Sequence, residues 1–252
     1  YCPMGAQGGE KKKKGQILVS DPDEILEVLQ EALKQKGRFT NVMITSGSIL
    51  SGEELLEDEL NYHIELLQKI GTLFKEKRFP SQLIGTAYNK KQLERLYQET
   101  GLMSYTTDIE VLNESAFNYL CPGKAKFIGY REWKNRLKYA AEIFGKGKVN
   151  TGIVTGTELA QGIGFRTEDA AFAATSEEAE ELAQAGVGVA VTVWQPSPMS
   201  ILKKAKNPSL EYYVRVTREY ERLRLKYGLA VDFDDYRRCG NHPNTDLARL
   251  RG

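Results

Sequence analysis

The sequence predicts an α/β protein in which parallel strands alternate with helices, and three observations support this. Five short apolar stretches are each followed by a segment with helical periodicity. The apolar stretches are nearly continuous, which is typical of strands buried on both faces of a parallel sheet. Glycine, proline or a capping residue stands at many of the junctions. The pattern fits both a (β/α) barrel and an open doubly wound sheet, and the residues leave both open.

The elements follow each other regularly along the chain. Ser20 or Asp21 can cap a first helix that starts with Pro22, and Gly37 ends it. The five predicted strands lie at 41–47, 80–88, 103–112, 148–158 and 187–202, the last running into a proline-rich loop. The later predicted helices lie at 52–77, 90–99, 131–145, 176–186 and 209–228.

Charge and cysteine content exclude several classes of protein. Lys and Arg number 35 against 34 Asp and Glu, so the chain has no basic field for nucleic acid. No apolar run approaches the roughly 18 residues of a membrane span, and the first residues lack the pattern of a secretory signal. Three widely spaced cysteines, Cys2, Cys121 and Cys239, argue against a disulfide framework. We therefore predict a cytoplasmic protein with neither nucleic acid nor membrane as a partner.

The carboxyl ends of the strands are where both architectures bind ligands. These ends carry hydroxyls, exposed backbone and the carboxylates of Asp108, Glu110 and Glu158. His63 falls within a predicted helix, where we interpret it as solvated or half-buried, and His242 falls in the tail. A Ser-His-Asp triad therefore has little support.

Three of these segments, taken in order, resemble radical S-adenosylmethionine enzymes of the biotin synthase-like branch. YTTDIEVLNES (105–115) resembles the family's fourth-strand segment, in which an acidic residue contacts the ribose of the nucleoside. VNTGIVTGTE (149–158) resembles the fifth-strand pattern, and VTVWQPSPMSIL (191–202) resembles the exit of the sixth strand. The resemblance covers about residues 1–202, and it depends on the order and spacing of the three segments together.

This resemblance implies a partial (β/α)6 TIM-like barrel with parallel strands in residues 1–202. Residues 203–252 would form a C-terminal helix and a tail that pack on the barrel or cap it. Cys2, in Tyr1-Cys2-Pro3, matches the last cysteine of the family's three-cysteine loop, whose thiolates bind a [4Fe-4S] cluster. We expect the first strand and the other two cysteines to precede Tyr1. The alternative is that Cys2 is a small buried thiol near a terminus.

The resemblance also implies residues that bind S-adenosylmethionine. Residues 45–47, which are Thr45, Ser46 and Gly47, occupy the place where the family presents backbone to the amino group of the methionine moiety. Asp108 and Glu110 are candidates for the ribose. Glu110 is preferred, because strand alternation puts both on one side and Glu110 nearer the exit. Arg131 is the first candidate for the methionine carboxylate and Lys124 the second, with a surface cation as the alternative for Arg131.

Two further residues complete the predicted cofactor-binding set. Glu158 would orient the substrate or contact the cofactor, and its alternative role is to cap a helix start together with Thr157. Trp194 lies in the segment that resembles the sixth-strand exit.

The remaining cysteines are too few to bind a second cluster by themselves. We interpret Cys121 as a buried structural thiol. Cys239 and His242 are interpreted as part of a loop that docks the tail, with half of a metal site as the alternative.

The implied reaction is reductive cleavage of S-adenosylmethionine at the cluster. The resulting 5′-deoxyadenosyl radical would abstract hydrogen from a small-molecule substrate in cofactor or metabolite biosynthesis. The expected partner is a reductant such as ferredoxin or flavodoxin, and no catalytic residue is assigned. Two alternatives stay open. One is a cluster-free (β/α) enzyme using Asp108, Glu110 and Glu158 for acid–base chemistry, and the other is a non-catalytic barrel subunit.

Overall fold

The computed structural model describes residues 20–229 apart from residues 38, 40, 161, 162, 197 and 199. Cys2, Cys239 and His242, which the sequence analysis singled out, lie outside the described residues. Five strands form one sheet: β1 Val42–Thr45, β2 Ser81–Ile84, β3 Ser104–Thr106, β4 Val149–Thr155 and β5 Val187–Val193.

Eight α-helices connect or flank these strands within the described part of the chain. They are α1 Pro22–Leu33, α2 Glu57–Gly71, α3 Lys90–Glu99, α4 Glu114–Leu120, α5 Pro122–Phe127, α6 Tyr130–Phe144, α7 Glu168–Gln184 and α8 Leu210–Lys226. Local sequence explains several starts. The carboxylate of Asp21 accepts from the backbone N–H of Asp23 at the start of α1, and Asn89 forms a capping box with Gln92 at the start of α3.

All strand pairs are parallel, and the strand order in the sheet is the order in the chain, β1 to β5. The prediction of an α/β fold with parallel strands is therefore confirmed. A doubly wound sheet reverses its strand order at a switch point, and the five described strands contain no such reversal. β1 and β5 are the two edges of the described sheet, so the barrel stays a prediction.

The two faces of the sheet differ in chemistry. One face presents a row of apolar side chains in register across the strands: Ile44, Leu83, Tyr105, Val149 and Val187. Four of these five are fully buried, and they share a single core with residues of α2, α3, α6, α7 and α8. The helices that pack on the sheet therefore cover this one face, as expected when right-handed crossovers always step in the same direction.

The opposite face is mostly polar or has very small side chains, and we call it the polar face. Its large apolar positions are Met43, Ile84 and Val154. Gln82 pairs in register with Ser104, and Thr106 pairs with Asn150. All four are buried, and the Gln82 amide donates to Thr106 Oγ1 over 3.0 Å. Further along, the positions are Gly152, Gly188 and Ala190. The space that side chains at Gly152 and Gly188 would fill is taken by Asp108 and Asn150, whose Oδ1 atoms would lie 2.6 Å and 2.4 Å from an added Cβ.

Several predicted boundaries are wrong. The third strand ends at Thr106 rather than at residue 112, and α2 starts at Glu57 rather than 52. The helix α7 begins eight residues earlier than predicted, where Thr167 caps it by accepting from the N–H of Ala170. The short helices α4 and α5 have no counterpart among the predicted elements, because seven and six residues are too few for a clear period.

The helix α8 belongs to the same core as the sheet. Tyr212, Val216, Tyr220 and Leu223 are buried on the face that packs against α7 and β5. A division of the chain at residue 202 stays a prediction. None of the described helices combines the length and the apolar character needed to cross a bilayer.

Candidate functional site

The polar face changes from closed to accessible along the strand direction. Ser104 and Thr106 are fully buried, whereas Ala190 and Thr192 are only half-buried. The last residue of β1 and the loop that follows it, residues 45–48, are exposed. A small molecule can therefore reach the sheet from its carboxyl edge, which is where ligands bind in parallel α/β folds.

A buried carboxylate joins two of the strand ends. Glu59, in the first turn of α2, is fully buried. Its Oε2 accepts from the N–H of Ile49 at 2.9 Å and from Thr86 Oγ1 at 3.1 Å. Its Oε1 accepts from the N–H of Thr86 at 3.1 Å and from the Tyr88 hydroxyl at 3.0 Å. One side chain thus ties the loop after β1 to the loop after β2.

His63, one turn further along α2, extends this arrangement. Its Nδ1 lies 2.7 Å from the Tyr88 hydroxyl, and because that hydroxyl donates to Glu59, Nδ1 carries the proton and donates to Tyr88. Burial lowers the pKa of His63 to about 4, so the ring is neutral at pH 7. The interpretation of His63 as solvated or half-buried is wrong, because the side chain is fully buried.

The exposed end of the arrangement is Ser48, whose Oγ lies 2.6 Å from Thr86 Oγ1. We call the group Ser48, Ile49, Glu59, His63, Thr86 and Tyr88 the Glu59 network. Sequence reasoning missed Glu59, although an acidic residue at the start of an amphipathic helix, on the face that also carries Leu60 and Ile64, was a usable signal. A carboxylate on a core-facing position needs buried partners.

Thr45, Ser46 and Gly47 lie where the sequence placed them, at the exposed end of β1. The N–H of Ser46 donates to the carbonyl of Ile84 at 3.3 Å, which continues the pairing with β2. A methyl group added at Gly47 would meet no atom within 4 Å, so this backbone is accessible.

Asp108 lies over the polar face. Its Oδ1 accepts from the N–H of Gly152 at 2.7 Å, and a Cβ placed at Gly152 would fall 2.6 Å from the same oxygen. Because Gly152 and Asn150 are two residues apart on β4, they share a face of the sheet. The carboxylate of Asp108 therefore occupies the space that a side chain at Gly152 would fill.

The prediction that strand alternation puts Glu110 on the same side as Asp108 is wrong. β3 ends at Thr106, which pairs with Asn150. Continuing that register would place Glu110 opposite Val154, but Glu110 bridges to Ile153 instead, so the segment after β3 contains one extra residue. Glu110 also has a φ of 73°, which a non-glycine residue rarely adopts. The extra residue interrupts the alternation in the manner of a bulge.

Lys124, the second candidate cation, binds this segment. Its Nζ lies 2.6 Å from Glu110 Oε1 and 2.6 Å from the carbonyl oxygen of Asp108, and 4.7 Å from the centre of the Trp133 ring. Lys124 therefore fixes the chain after β3 from the side of α5 and α6.

Arg131 lies apart from this edge of the sheet. Its side chain is 85 % exposed and forms an ion pair of 3.3 Å with Glu114. It lines a cleft of about 640 Å³ between α6 and α7, together with Lys134, Lys138 and Phe165. That cleft includes none of Thr45, Asp108, Glu110 and Glu158, so the structure does not bring Arg131 together with them.

Glu158 is committed to contacts within the chain. It is 3 % exposed, and its Oε2 accepts from the N–H of Gly156 at 2.8 Å while Oε1 accepts from the Tyr212 hydroxyl. Burial raises the pKa of Glu158, although these hydrogen bonds oppose the shift. This geometry is close to the alternative capping role, because Glu158 lies in the single turn Thr157–Leu159 and accepts from the N–H just before it.

Trp194 is also a packing residue. It is 1 % exposed and forms a small cluster with Ala160 and Leu202, and its carbonyl accepts from the Tyr213 hydroxyl at 3.1 Å. We call Gly156, Glu158, Trp194, Tyr212 and Tyr213 the Glu158 network. It joins α8 to the ends of β4 and β5.

The residues described here contain no group of three or more His, Cys, Asp or Glu side chains arranged to hold a metal. Cys121, the one cysteine among them, is half-buried between α4 and α5 and packs against the core. Its interpretation as a buried structural thiol stays a prediction, because the side chain is only half-buried. The other two cysteines of the sequence, Cys2 and Cys239, lie outside the described ranges.

These observations define a class: an α/β protein whose parallel sheet is covered by helices on one face and offers a polar face open at its carboxyl edge. No family model matches the chain. The chain is 25 % identical over 137 residues to bacteriochlorophyllide c C-7(1)-hydroxylase of Chlorobaculum limnaeum. The match covers 54 % of this chain and 31 % of the hydroxylase, so the chain spans about a third of that relative's length. The similarity is to an enzyme.

Proposed function

We propose that this chain binds S-adenosylmethionine at the carboxyl edge of its sheet and belongs to a radical enzyme acting on a small molecule. The observation that carries the proposal is the polar face, which is buried at its amino end and accessible at its carboxyl edge. A cofactor with an amino acid and a nucleoside needs separated polar groups along a groove. The strand ends offer hydroxyls, backbone and a carboxylate in that arrangement.

Individual residues take specific roles in this proposal. The exposed backbone of residues 45–47 binds the amino end of the methionine moiety. Asp108, rather than Glu110, accepts from the ribose hydroxyls, because its carboxylate lies over Gly152 on the polar face. Glu158 leaves the cofactor-binding set, since its carboxylate serves the packing of α8. Trp194 leaves it because its side chain is buried against Ala160 and Leu202.

The cluster is a separate part of the proposal. Bound to an iron–sulfur cluster and reduced by one electron, S-adenosylmethionine supplies a carbon radical that abstracts hydrogen. We propose Cys2 as one ligand of that cluster. The described residues contribute binding, orientation and exclusion of water, which protects a reactive species from side reactions.

The similarity to a hydroxylase supports this reaction type. A hydroxylase replaces hydrogen on carbon, so its reaction also begins at a carbon–hydrogen bond. The hydroxylase's own substrate is not carried over to this chain, because the match covers only 31 % of that protein. A small-molecule substrate and a reductant such as flavodoxin complete the proposal.

The test is anaerobic purification of the protein followed by reduction with dithionite in the presence of S-adenosylmethionine. We expect a brown protein with about four irons per chain and release of 5′-deoxyadenosine, measured by liquid chromatography. The Cys2→Ala variant is the matched comparison and should lose both iron and product. A Cys121→Ala variant, which changes the half-buried thiol, should keep both.

Two results would overturn the proposal. A colourless wild-type protein that binds no iron after anaerobic reconstitution and releases no 5′-deoxyadenosine excludes the radical reaction. A protein that shows no calorimetric binding of S-adenosylmethionine excludes the proposed site as well.

A further inference from the structure

We propose that Glu59 is a positioning residue that orients the Ser48 hydroxyl as a hydrogen-bond acceptor for an N–H group of the bound ligand. The inference rests on the proposed function, because it places the amino acid end of the ligand at the strand ends that Glu59 joins. It adds a residue and a direction of hydrogen bonding to that site.

The first step is the hydrogen-bond capacity of the Glu59 carboxylate. Four donors converge on it: the N–H groups of Ile49 and Thr86 and the hydroxyls of Thr86 and Tyr88. An ionised carboxylate has about four acceptor positions and no proton to donate. The ionised form satisfies all four donors at once, and it is the state in which both hydroxyls donate to Glu59.

The second step is the direction of the chain of hydroxyls. The single hydroxyl proton of Thr86 points at Glu59 Oε2. The 2.6 Å contact between Ser48 Oγ and Thr86 Oγ1 must then use the proton of Ser48. Since that proton is used, only the lone pairs of Ser48 Oγ remain for a further partner.

The third step is the position of Ser48. It is exposed on the loop that follows β1, next to residues 45–47, while the Glu59 carboxylate and its partners Thr86 and Tyr88 are buried. The buried carboxylate thus fixes the orientation of the Ser48 hydroxyl at the accessible edge. Such an orientation favours a ligand group that donates, such as an amine or ammonium, over one that only accepts.

The experiment compares two nucleosides by titration calorimetry on the anaerobically purified protein. S-adenosylmethionine carries the amino group, and 5′-methylthioadenosine shares the sulfur-linked nucleoside but has no amino acid nitrogen. We expect Ser48→Ala to weaken the affinity for S-adenosylmethionine five- to tenfold and to change the affinity for 5′-methylthioadenosine less than twofold. Ser51→Ala, an exposed serine three residues further on, should change neither.

Glu59→Gln tests the direction of the hydrogen bonds. In this variant an amide N–H replaces one carboxylate oxygen and faces groups that also donate, and the charge that orients the Thr86 hydroxyl is lost. We therefore expect weaker binding of S-adenosylmethionine with little change for 5′-methylthioadenosine. If Glu59 acts through Ser48, the double variant should lose no more affinity than Glu59→Gln alone. Ser48 is exposed, so Ser48→Ala keeps the test valid even where Glu59→Gln fails to fold.

The outcomes separate the two proposals. Wild-type binding of both nucleosides with no selective loss in Ser48→Ala overturns the inference and leaves the proposed function intact. An equal loss for both nucleosides assigns the network a purely structural role and also overturns it. A wild-type protein that binds neither nucleoside overturns the proposed function, and the inference with it.

Discussion

The Glu59 network and the Glu158 network use the same device at opposite ends of the sheet's carboxyl edge. Each has a buried glutamate that accepts from backbone N–H and from a tyrosine hydroxyl. The Glu59 network joins two strand-end loops and ends at the exposed hydroxyl of Ser48. The Glu158 network docks a helix and ends at the buried Trp194. A buried carboxylate therefore supports the edge proposed for ligand binding in one place and closes the edge in the other.

The largest effect is expected at the closed end. Glu158→Ala leaves the Gly156 N–H and the Tyr212 hydroxyl without their acceptor, which should cost about 3 kcal/mol of unfolding free energy. The calorimetric midpoint should fall by roughly 6–12 °C for a domain of this size. Glu177→Ala, at an exposed position of α7, should leave the midpoint unchanged. If the variant instead keeps a normal midpoint and loses binding of S-adenosylmethionine, Glu158 contacts the ligand, as the sequence analysis predicted.

The pH dependence of stability should separate the two ends as well. His63 has its pKa lowered to about 4 by burial, so the folded protein resists protonation that the unfolded chain accepts below about 6.5. The stability that this group contributes is present above pH 6.5 and is lost as the pH falls through 4. Each unit of pKa difference between the folded and unfolded states corresponds to about 1.4 kcal/mol, so the total loss is up to about 3 kcal/mol.

His63→Gln should remove this contribution, since glutamine does not titrate. Denaturant unfolding at pH 7 and at pH 4 gives the measurement, and the wild type should lose up to about 3 kcal/mol more than the variant between them. Burial raises the pKa of both Glu59 and Glu158, and the corresponding stability is lost as the pH rises above about 4.5. Equal pH dependence in wild type and variant would show that His63 is solvated.

A smaller effect is expected between the two networks, at Gly152. A methyl group there would lie 2.6 Å from Asp108 Oδ1, so Gly152→Ala should displace the carboxylate proposed for the ribose. We expect five- to tenfold weaker binding of both S-adenosylmethionine and 5′-methylthioadenosine, because both carry the ribose. Gly123→Ala, where a Cβ meets no atom within 4 Å, is the control. Unchanged binding in Gly152→Ala would remove Asp108 from the site.

The smallest effect is expected for Arg131, the first sequence candidate for the methionine carboxylate. It is 85 % exposed and paired with Glu114 outside the strand-end edge. Arg131→Ala should change the affinity for S-adenosylmethionine less than twofold, as should Lys126→Ala, an exposed lysine in α5. A tenfold loss specific to Arg131→Ala would restore the sequence prediction.

The sequence predicted the order of strands and helices, because hydrophobic period and turn residues are local signals. The edge at which ligands bind stays a prediction. The sequence could not assign the carboxylates. Glu158 was assigned to the ligand because its actual partner, Tyr212, lies 54 residues away on α8, and the sequence does not show that the two residues meet. Glu110 was misplaced because a single extra residue after β3 interrupts the alternation. Glu59 was missed because its four donors come from two loops that only folding brings together.

The strand order described above also bears on how the chain acquires its fold. Every described strand pairs only with neighbours in sequence, so no strand has to be inserted between two that are already paired. The sheet can then grow one strand and helix at a time during synthesis, and each addition closes a loop of modest length. In this order the Glu59 network can form once β2 and Tyr88 have emerged, whereas the Glu158 network must wait for α8.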